Sequence, residues 1–275
     1  MQPSAKTTQY FLRDRDFIQV WMPFWEWVYR HYFRVQTGGW QHIPAGQALF
    51  VGSHSGGLVA PDMYMFMVDW FRRVGYERSI YGLMHPSVWQ MNPHAASYAA
   101  KLGAVPAKPR FAIAALRQNA SVLVYPGGAQ DVFRPHRRRQ QICFFNRQGF
   151  IKLALREQVP IVPLVAWGAH DTLIVLEDIY PLIRQLHDWG LIPWLNGVDP
   201  EVFPVYLGLP WGLALGPLPN IPLPVQIHTK VCAPVTFERY GRAAAKDADY
   251  VEACYQRVVA KMQQALDQLA ADATT

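Results

Sequence analysis

The chain has 275 residues, of which 51% are hydrophobic and only 17% are charged, and its formal net charge at pH 7 is +6. A chain of this length buries roughly 75% of its unfolded surface, so we expect a real core. The low charge content is balanced by 10 Trp, 13 Tyr and 14 Phe. This composition favours contact with an anionic membrane surface. The basic residues form no stripe with interleaved aromatics, so nucleic acid is not an expected partner.

The cysteines, the N-terminus and the longest uncharged stretch indicate the cellular compartment in which we expect the protein. The three cysteines, Cys143, Cys232 and Cys254, lie far apart without metal-ligand spacing, which predicts a reducing compartment and no metal site. The N-terminus lacks the apolar core of a signal peptide, so we expect no secretion signal. The longest uncharged stretch, 202–227, is interrupted by prolines and glycines, which argues against an ordinary membrane-spanning helix.

Residues 9–35 follow a helical pattern in which Pro23 predicts a break, and hence a pair of helices. Half of the residues from Trp21 to Tyr32 are aromatic, and Arg30 and Arg34 lie nearby. Such a pattern is typical of an interfacial helix pair, so we expect residues 1–40 to associate with a membrane. The alternative is a helix pair that packs on the core.

The central part of the chain alternates short apolar runs with helical patterns. The predicted strands are 48–53, 78–84, 121–128 and 159–168, and the predicted helices are 61–75, 93–103, 111–119 and 149–158. This alternation predicts an α/β fold with a mixed, mostly parallel sheet flanked by helices.

Beyond residue 190 the composition shifts to Pro, Gly, Trp and Leu, which marks an apolar segment at 190–224. A half-exposed strand pattern follows at 225–231, and an amphipathic helix is predicted over 247–271. Nothing in this region has the composition of a linker, so we expect residues 41–275 to form one domain.

Two glycines and a histidine follow predicted strands. His54 comes after the strand at 48–53, and the strand that begins at Ser121 runs into a turn formed by Gly127 and Gly128. The carboxyl ends of strands in α/β sheets collect ligand sites, so these residues favour one common site. Asp62 follows Pro61 in the first turn of a predicted helix, which places it beside the loop from His54.

Four stretches, in this order, resemble the sequence blocks of the phospholipid/glycerol acyltransferase superfamily. The resemblance is strongest to the branch near type-2 diacylglycerol acyltransferases and phytyl ester synthases. The stretches are SHSGGLVAPD (53–62), LGAVPAKPRFAIAAL (102–116), LVYPGGAQDVFRP (123–135) and VPIVPLVAWG (159–168). The resemblance covers about residues 45–235. It implies a glycerol-phosphate-acyltransferase-like α/β fold and an O-acyltransferase activity.

In such an enzyme a fatty acyl chain moves from an acyl thioester, either acyl-CoA or acyl carrier protein, to a lipid hydroxyl, and no further cofactor is expected. The resemblance makes His54 the general base and Asp62 its orienting carboxylate. Backbone N–H groups at Gly127 and Gly128 are the expected oxyanion donors. The expected location is the cytoplasmic face of a membrane, on an anionic leaflet, as a peripheral or monotopic protein.

The second block supplies two further candidates, Arg110 and Lys108, which the resemblance implies as ligands for phosphate of the acceptor or of CoA. The block nevertheless lacks the Phe-x-x-Arg form of phosphatidic-acid-forming enzymes. Gly127 also stands where those enzymes carry a glutamate. Both departures argue against a phosphorylated acceptor.

The first block departs from the superfamily in the length of its loop. Seven residues separate His54 from Asp62, where the superfamily has four. Gly56 and Gly57 supply conformational freedom, so we expect the loop to fold back and restore the pair.

Three alternatives remain open. One is a lysophosphatidic-acid acyltransferase of phospholipid synthesis. Another is a non-catalytic lipid-binding relative whose lengthened loop no longer aligns the pair. A serine or cysteine hydrolase is a weaker alternative, because the chain has no Gly-x-Ser-x-Gly motif.

Overall fold

The computed structural model describes residues 10–86, 89, 93–194 and 197–274. Its main sheet contains β1 (Gln36–Gly38), β2 (Leu49–Gly52), β3 (Ile80–Met84), β4 (Ala104–Pro106), β5 (Ser121–Val124), β6 (Ile161–Trp167) and β10 (His228–Val231). The strand order is β1-β10-β6-β2-β5-β3-β4. All neighbours are parallel except β10 and β6, which run antiparallel. The predicted mixed, mostly parallel sheet is confirmed.

Helices cover both faces of this sheet. They are α1 (Arg15–Trp27), α2 (Pro61–Arg73), α3 (Pro93–Lys101), α4 (Pro109–Arg117), α5 (Gly128–Val132), α6 (Gly149–Glu157), α7 (Tyr180–Asp188) and α8 (Ala248–Thr274). The side chains of β2 alternate between the two cores. Leu49 and Val51 pack with residues of α4, α6 and α8, whereas Phe50 packs with residues of α1 and α2. Burial on both faces explains why the strand is an unbroken apolar run.

A second, antiparallel sheet contains β7 (Ile174–Asp178), β8 (Pro204–Gly208) and β9 (Gly212–Leu215). Its inner face carries Val175, Tyr206 and Ala214, which pack against Val132 and Phe133. We call this element the small sheet. It was not predicted, and β8 and β9 fall within the predicted apolar segment, of which residues 195–196 lie outside the described part.

The N-terminal segment corrects the prediction of a helix pair. The Asp14 side chain accepts the Phe17 N–H at 3.0 Å and caps α1, which continues through Pro23 into a π-helical turn at Val28–Tyr32. Pro23 lies on the exposed side of the helix, where water can replace the backbone hydrogen bond that proline removes. The predicted break at Pro23 is therefore wrong. Residues 1–9 of the predicted N-terminal region lie outside the described residues.

The two sides of α1 differ in their surroundings. Ile18 and Met22 are buried, whereas Val20, Trp21, Phe24 and Trp27 are exposed. In the described part of the chain, no helix has both the length and the apolar character needed to cross a bilayer.

Candidate active site

The sheet brings three strand ends together at one edge. β2 pairs in parallel with both β5 and β6, so the carboxyl ends of all three lie side by side. His54 follows β2 after one residue, Tyr125 directly follows β5, and Gly168 directly follows β6. This is the edge at which ligands bind in α/β sheets.

The loop from His54 to Asp62 folds back through two glycines with left-handed backbones. Gly56 has φ +83° and Gly57 has φ +71°. A Cβ at Gly56 would collide with Thr172 and the Ala169 carbonyl, and one at Gly57 would collide with Leu173. Both positions therefore require glycine for backbone conformation and for space.

This loop places Asp62 beside the imidazole. Pro61 is the first residue of α2, so Asp62 lies in its first turn, where the helix dipole favours a negative charge. Asp62 is 3% exposed, and its Oδ2 lies 3.6 Å from Nδ1 of His54. That separation is just beyond hydrogen-bond range, and catalytic contacts in free enzymes often tighten when substrate binds. The structure thus brings together the two residues that the sequence singled out.

Tyr125 forms one wall of the site. Its ring stacks on the His54 imidazole, with ring centroids 4.2 Å apart and an interplanar angle of 21°. A Cβ at Gly52 would collide with this ring, so the glycine that ends β2 makes room for the stack. Burial and the nearby Asp62 raise the pKa of Tyr125 well above 10, so the phenol is neutral.

Asp131 is a further residue of the candidate site, and the sequence patterns did not indicate it. Its fully buried carboxylate accepts the His54 backbone N–H at 2.6 Å and the Ser53 hydroxyl at 3.2 Å, and it also pairs with the buried Arg134. Asp131 thereby fixes the backbone of the residue that carries the imidazole. The available signal was an acid and an arginine three residues apart within the third block, in a chain with few charges.

Gly127 caps α5, and Gly128 is the first residue of that helix, so both lie in the turn where α5 begins. A Cβ at Gly127 would collide with the Asp131 side chain, so this glycine lets the turn close over the buried carboxylate. Gly128 has φ +58°, and the Arg147 guanidinium donates to the Gly127 carbonyl. The turn is therefore fixed next to the residue that anchors His54.

Lys108 and Arg110 lie at the same edge of the sheet as the His54–Asp62 pair, but several strands away from it. They follow β4, which is three strands from β2, a separation of about 14 Å at the usual strand spacing. Both are exposed, and the Arg110 guanidinium lies over the Phe111 ring, 4.8 Å from its centroid. Neither side chain makes a hydrogen bond or ion pair with another residue in the described part. The structure does not bring them into contact with the His54–Asp62 pair.

A second group of histidines supports the turn after α5. His170 is buried, and its Nε2–H donates to the Arg134 carbonyl at 2.7 Å. Burial and the nearby Arg134 lower the pKa of His170 to about 3, so its ring is neutral. His136 contacts Asp171 at 2.6 Å. Within the described ranges, no cluster of three or more His, Cys, Asp or Glu side chains could hold a metal ion.

Known proteins resemble the chain over most of its length. The sequence model of the diacylglycerol acyltransferase family matches residues 6–268. An uncharacterised protein of Mycobacterium tuberculosis is 28% identical over 227 residues, which cover 82% of this chain and 58% of that protein. Diacylglycerol O-acyltransferase 2 of Bos taurus is 26% identical over 152 residues, which cover 52% of this chain and 38% of that protein.

Among solved structures, the 1-acyl-sn-glycerophosphate acyltransferase PlsC of Thermotoga maritima aligns with a TM-score of 0.47 and 18% identity. The alignment covers 93% of this chain and 86% of that one.

The chain belongs to the diacylglycerol acyltransferase family, because the family model spans nearly all of it. The predicted place near type-2 diacylglycerol acyltransferases is thus confirmed. The chain spans 58% of the length of its mycobacterial relative.

The protonation of Asp131 gives a testable pH dependence. Burial raises its pKa to about 6, against the opposing effects of Arg134 and the His54 N–H. A pKa above the unfolded value of about 3.9 means that this group stabilises the fold fully below about pH 4. That contribution is lost as the pH rises through about 6. We expect Asp131→Asn, which cannot ionise, to gain stability relative to the wild type between about pH 4 and pH 7.5.

Urea unfolding at several pH values in this range measures the free energy of unfolding of the variant and of the wild type. Asp188→Asn changes an exposed aspartate and serves as the control, for which we expect no such trend. The difference in free energy of unfolding between Asp131→Asn and the wild type could instead be independent of pH, or could shift in favour of the wild type as the pH rises. Either result would show that Arg134 holds the carboxylate ionised throughout.

Proposed function

We propose that the protein is an O-acyltransferase that moves a fatty acyl chain from a thioester to the hydroxyl of a membrane lipid. The observation that carries the proposal is the 3.6 Å contact between His54 and the buried Asp62, at the carboxyl edge of the sheet, in a chain of the diacylglycerol acyltransferase family.

The reaction needs a base at the acceptor oxygen. With Asp62 facing Nδ1, a proton on that nitrogen leaves Nε2 free to accept the hydroxyl proton of the acceptor. The oxygen attacks the thioester carbonyl, a tetrahedral oxyanion forms, and its collapse breaks the carbon–sulfur bond. The proton then passes from the imidazolium to the leaving thiolate, so the products are an ester and a free thiol. Asp62 stabilises the transient imidazolium and holds the tautomer.

The oxyanion requires donors that are fixed before the reaction. The turn at Gly127 and Gly128 supports this role for its backbone N–H groups, because Arg147 and the packing against Asp131 hold it rigid. Asp131 would then hold both the oxyanion donors and the base in position, since the Gly127 turn packs against it and it also accepts the His54 N–H.

The acceptor is best described as uncharged. Arg134 pairs with Asp131, and Arg147 donates to backbone carbonyls, so these two cations near the site already have partners. Lys108 and Arg110 remain available on the surface, where they suit the phosphates of an acyl-CoA donor. A phosphorylated acceptor, as in a lysophosphatidic-acid acyltransferase, would need one of them closer to the pair.

Two exposed apolar surfaces support peripheral membrane association. On the outer face of the small sheet, Leu207 lies opposite both Leu213 and Ile174, and Leu207 and Leu213 are 42% and 65% exposed. A solvated face of an antiparallel sheet normally carries polar residues. An exposed row of leucines instead suits contact with lipid chains.

The second surface is the exposed side of α1, with Val20, Trp21, Phe24 and Trp27. The segment after α1 is tied to the apolar segment, because the Tyr32 hydroxyl donates to the Pro222 carbonyl at 2.6 Å. Some cations near these surfaces are paired within the protein. Arg30 pairs with Glu26, and Arg137 pairs with Glu177 on β7. Apolar contact therefore provides most of the proposed attraction, and net charge adds a preference for anionic lipid.

The role of the pair is tested by substitution. We expect His54→Ala to reduce acyl transfer by about 10²–10⁴-fold, the usual effect of losing a general base. Asp62→Asn should cost less, because Asp62 orients the ring and does not itself react. The rate is measured with radiolabelled acyl-CoA as donor and a lipid alcohol in vesicles as acceptor, from the release of free thiol and the appearance of the labelled ester. His94→Ala, an exposed histidine on α3, is the control. A folded His54→Ala variant that retains wild-type transfer would sink the assignment.

The membrane surface is tested by vesicle flotation. The double variant Leu207→Ser/Leu213→Ser should lower vesicle affinity by about tenfold or more, because burial of each leucine contributes about 1.5–3 kcal/mol. Phe145→Ser, an exposed aromatic outside both surfaces, should leave binding unchanged. Phosphatidylserine in phosphatidylcholine vesicles should strengthen binding, and salt should weaken that gain. If the double variant floats as well as the wild type, the small sheet does not contact lipid.

A further inference from the structure

The Tyr125 ring covers one face of the His54 imidazole. The two ring centroids lie 4.2 Å apart, and the ring planes are tilted by only 21°. The register of the sheet holds the phenol ring there, because Val51 of β2 lies opposite Val124 of β5 and Tyr125 is the next residue along the chain. A Cβ at Gly52 would collide with the phenol ring, so the strand that leads to the base leaves room for this contact.

Asp62 contacts the imidazole at its edge and leaves the tilt of the ring undetermined. Its Oδ2 lies 3.6 Å from Nδ1 of His54, and this Nδ1 makes no hydrogen bond with any residue that the structure describes. The torsion that turns an imidazole about its Cβ–Cγ bond has a broad energy minimum, so one edge contact does not fix it. A flat ring against the imidazole face does restrict this torsion. Tyr125 therefore sets the plane in which both nitrogens of the imidazole lie.

Charged side chains of three other elements lie near the base. Asp62 is on α2, and Asp131 of α5 accepts the backbone N–H of the base while it pairs with Arg134. Lys230 of β10 lines a cavity that Asp62 and Tyr125 also line. Tyr125 differs from all of these groups, because burial and Asp62 hold the pKa of its phenol well above 10 and so keep it neutral. Its influence on the imidazole therefore comes from its ring face and not from a charge.

The face of an aromatic ring attracts positive charge. The ring quadrupole places negative charge above the ring plane, so a cation within about 6 Å of the centroid is stabilised. The imidazole is neutral before the reaction and becomes an imidazolium when it takes the acceptor proton at Nε2. At a centroid separation of 4.2 Å, the phenol ring therefore stabilises the charged form more than the neutral one. An interaction that strengthens as the reaction proceeds raises kcat, whereas equal binding of ground state and transition state does not.

We propose that Tyr125 is a positioning residue for His54, and that its ring face both orients the imidazole and stabilises the imidazolium that forms during acyl transfer. The inference rests on the proposed function and deepens its account of the base. The proton balance is that of the proposed reaction, since Nε2 takes the proton from the acceptor hydroxyl and returns it to the leaving thiolate. The phenol hydroxyl takes no part, so phenylalanine should replace Tyr125 and an aliphatic side chain should not.

The first experiment measures the pKa of His54 by NMR titration of protein labelled at histidine Cε1, with the signal assigned by its absence from His54→Gln. In Tyr125→Leu we expect this pKa to fall by about half a pH unit, because the ring that favours the charged form is gone. Tyr125→Phe should keep the wild-type pKa. Tyr76→Leu is the matched control, because it removes a tyrosine that stacks on Phe71 beyond the far end of α2 from Asp62.

Asp131 titrates in the same pH range, since its pKa is about 6. The titrations are therefore repeated in the Asp131→Asn background, where this carboxylate is absent. We expect the His54 pKa to differ between the Tyr125→Leu double variant and the Asp131→Asn single variant by the same half pH unit.

The second experiment measures acyl transfer by the same variants. In Tyr125→Leu we expect kcat to fall by about tenfold with KM nearly unchanged, because the imidazole loses its orientation and the imidazolium its stabilisation. The acid limb of kcat/KM should move to lower pH by the same half unit, since the free base binds its proton less tightly. Tyr125→Phe should restore both the rate and the position of the acid limb. A purely structural role for the ring would lower activity without moving this limb.

Two results would overturn the inference. One is a His54 pKa that stays unchanged in folded Tyr125→Leu, and the other is a loss of transfer in Tyr125→Phe equal to that in Tyr125→Leu. Thermal unfolding shows which variants are folded, and Tyr125→Met repeats both experiments if the leucine variant does not fold. If the wild type transfers no acyl group, the proposed function fails, and the titration still decides whether the ring stabilises the imidazolium.

Discussion

Two buried carboxylates fix His54, and the rest of the site depends on them. Asp131 accepts its backbone N–H at 2.6 Å, and Asp62 faces its Nδ1 at 3.6 Å. Burial of charge is costly unless it is compensated, so each carboxylate imposes requirements on its neighbours. Asp131 requires Arg134 and leaves no room for a side chain at Gly127. Asp62 requires the imidazole and the first turn of α2.

The second carboxylate explains why the loop and the small sheet belong together. Reaching Asp62 after seven intervening residues forces the loop to bulge, and its two glycines pack against Ala169, Thr172 and Leu173. These residues lie between β6 and β7, so they connect the main sheet to the small sheet. The element that carries the proposed lipid-facing leucines is thus in contact with the loop that carries the proposed base. Lipid entry and catalysis would share this junction.

Much of the main sheet was predictable, because β2, β5 and β6 are buried on both faces and read as uninterrupted apolar runs. His54 and Asp62 were predictable from the block that contains them, and glycine freedom correctly suggested that the longer loop could close. Asp131 was not, because its importance comes from a backbone N–H that lies 77 residues away in sequence. The small sheet was also missed, since the outward-facing positions of β8 and β9 carry Val205, Leu207, Leu213 and Leu215 and the sequence therefore shows no apolar–polar alternation there. The helix break predicted at Pro23 was wrong because a helix tolerates proline on its exposed side.

The central claim is that the acceptor hydroxyl itself attacks the thioester with His54 as base. The most direct measurement is a single turnover with excess protein, in which free thiol and lipid ester are followed together, with and without a vesicle-borne lipid alcohol. Direct attack predicts that thiol appears only when the alcohol is present, one equivalent for each ester formed, with no acyl group bound covalently to the protein. Thiol release at the same rate without the alcohol, or an acylated protein that forms before the ester, would contradict the account.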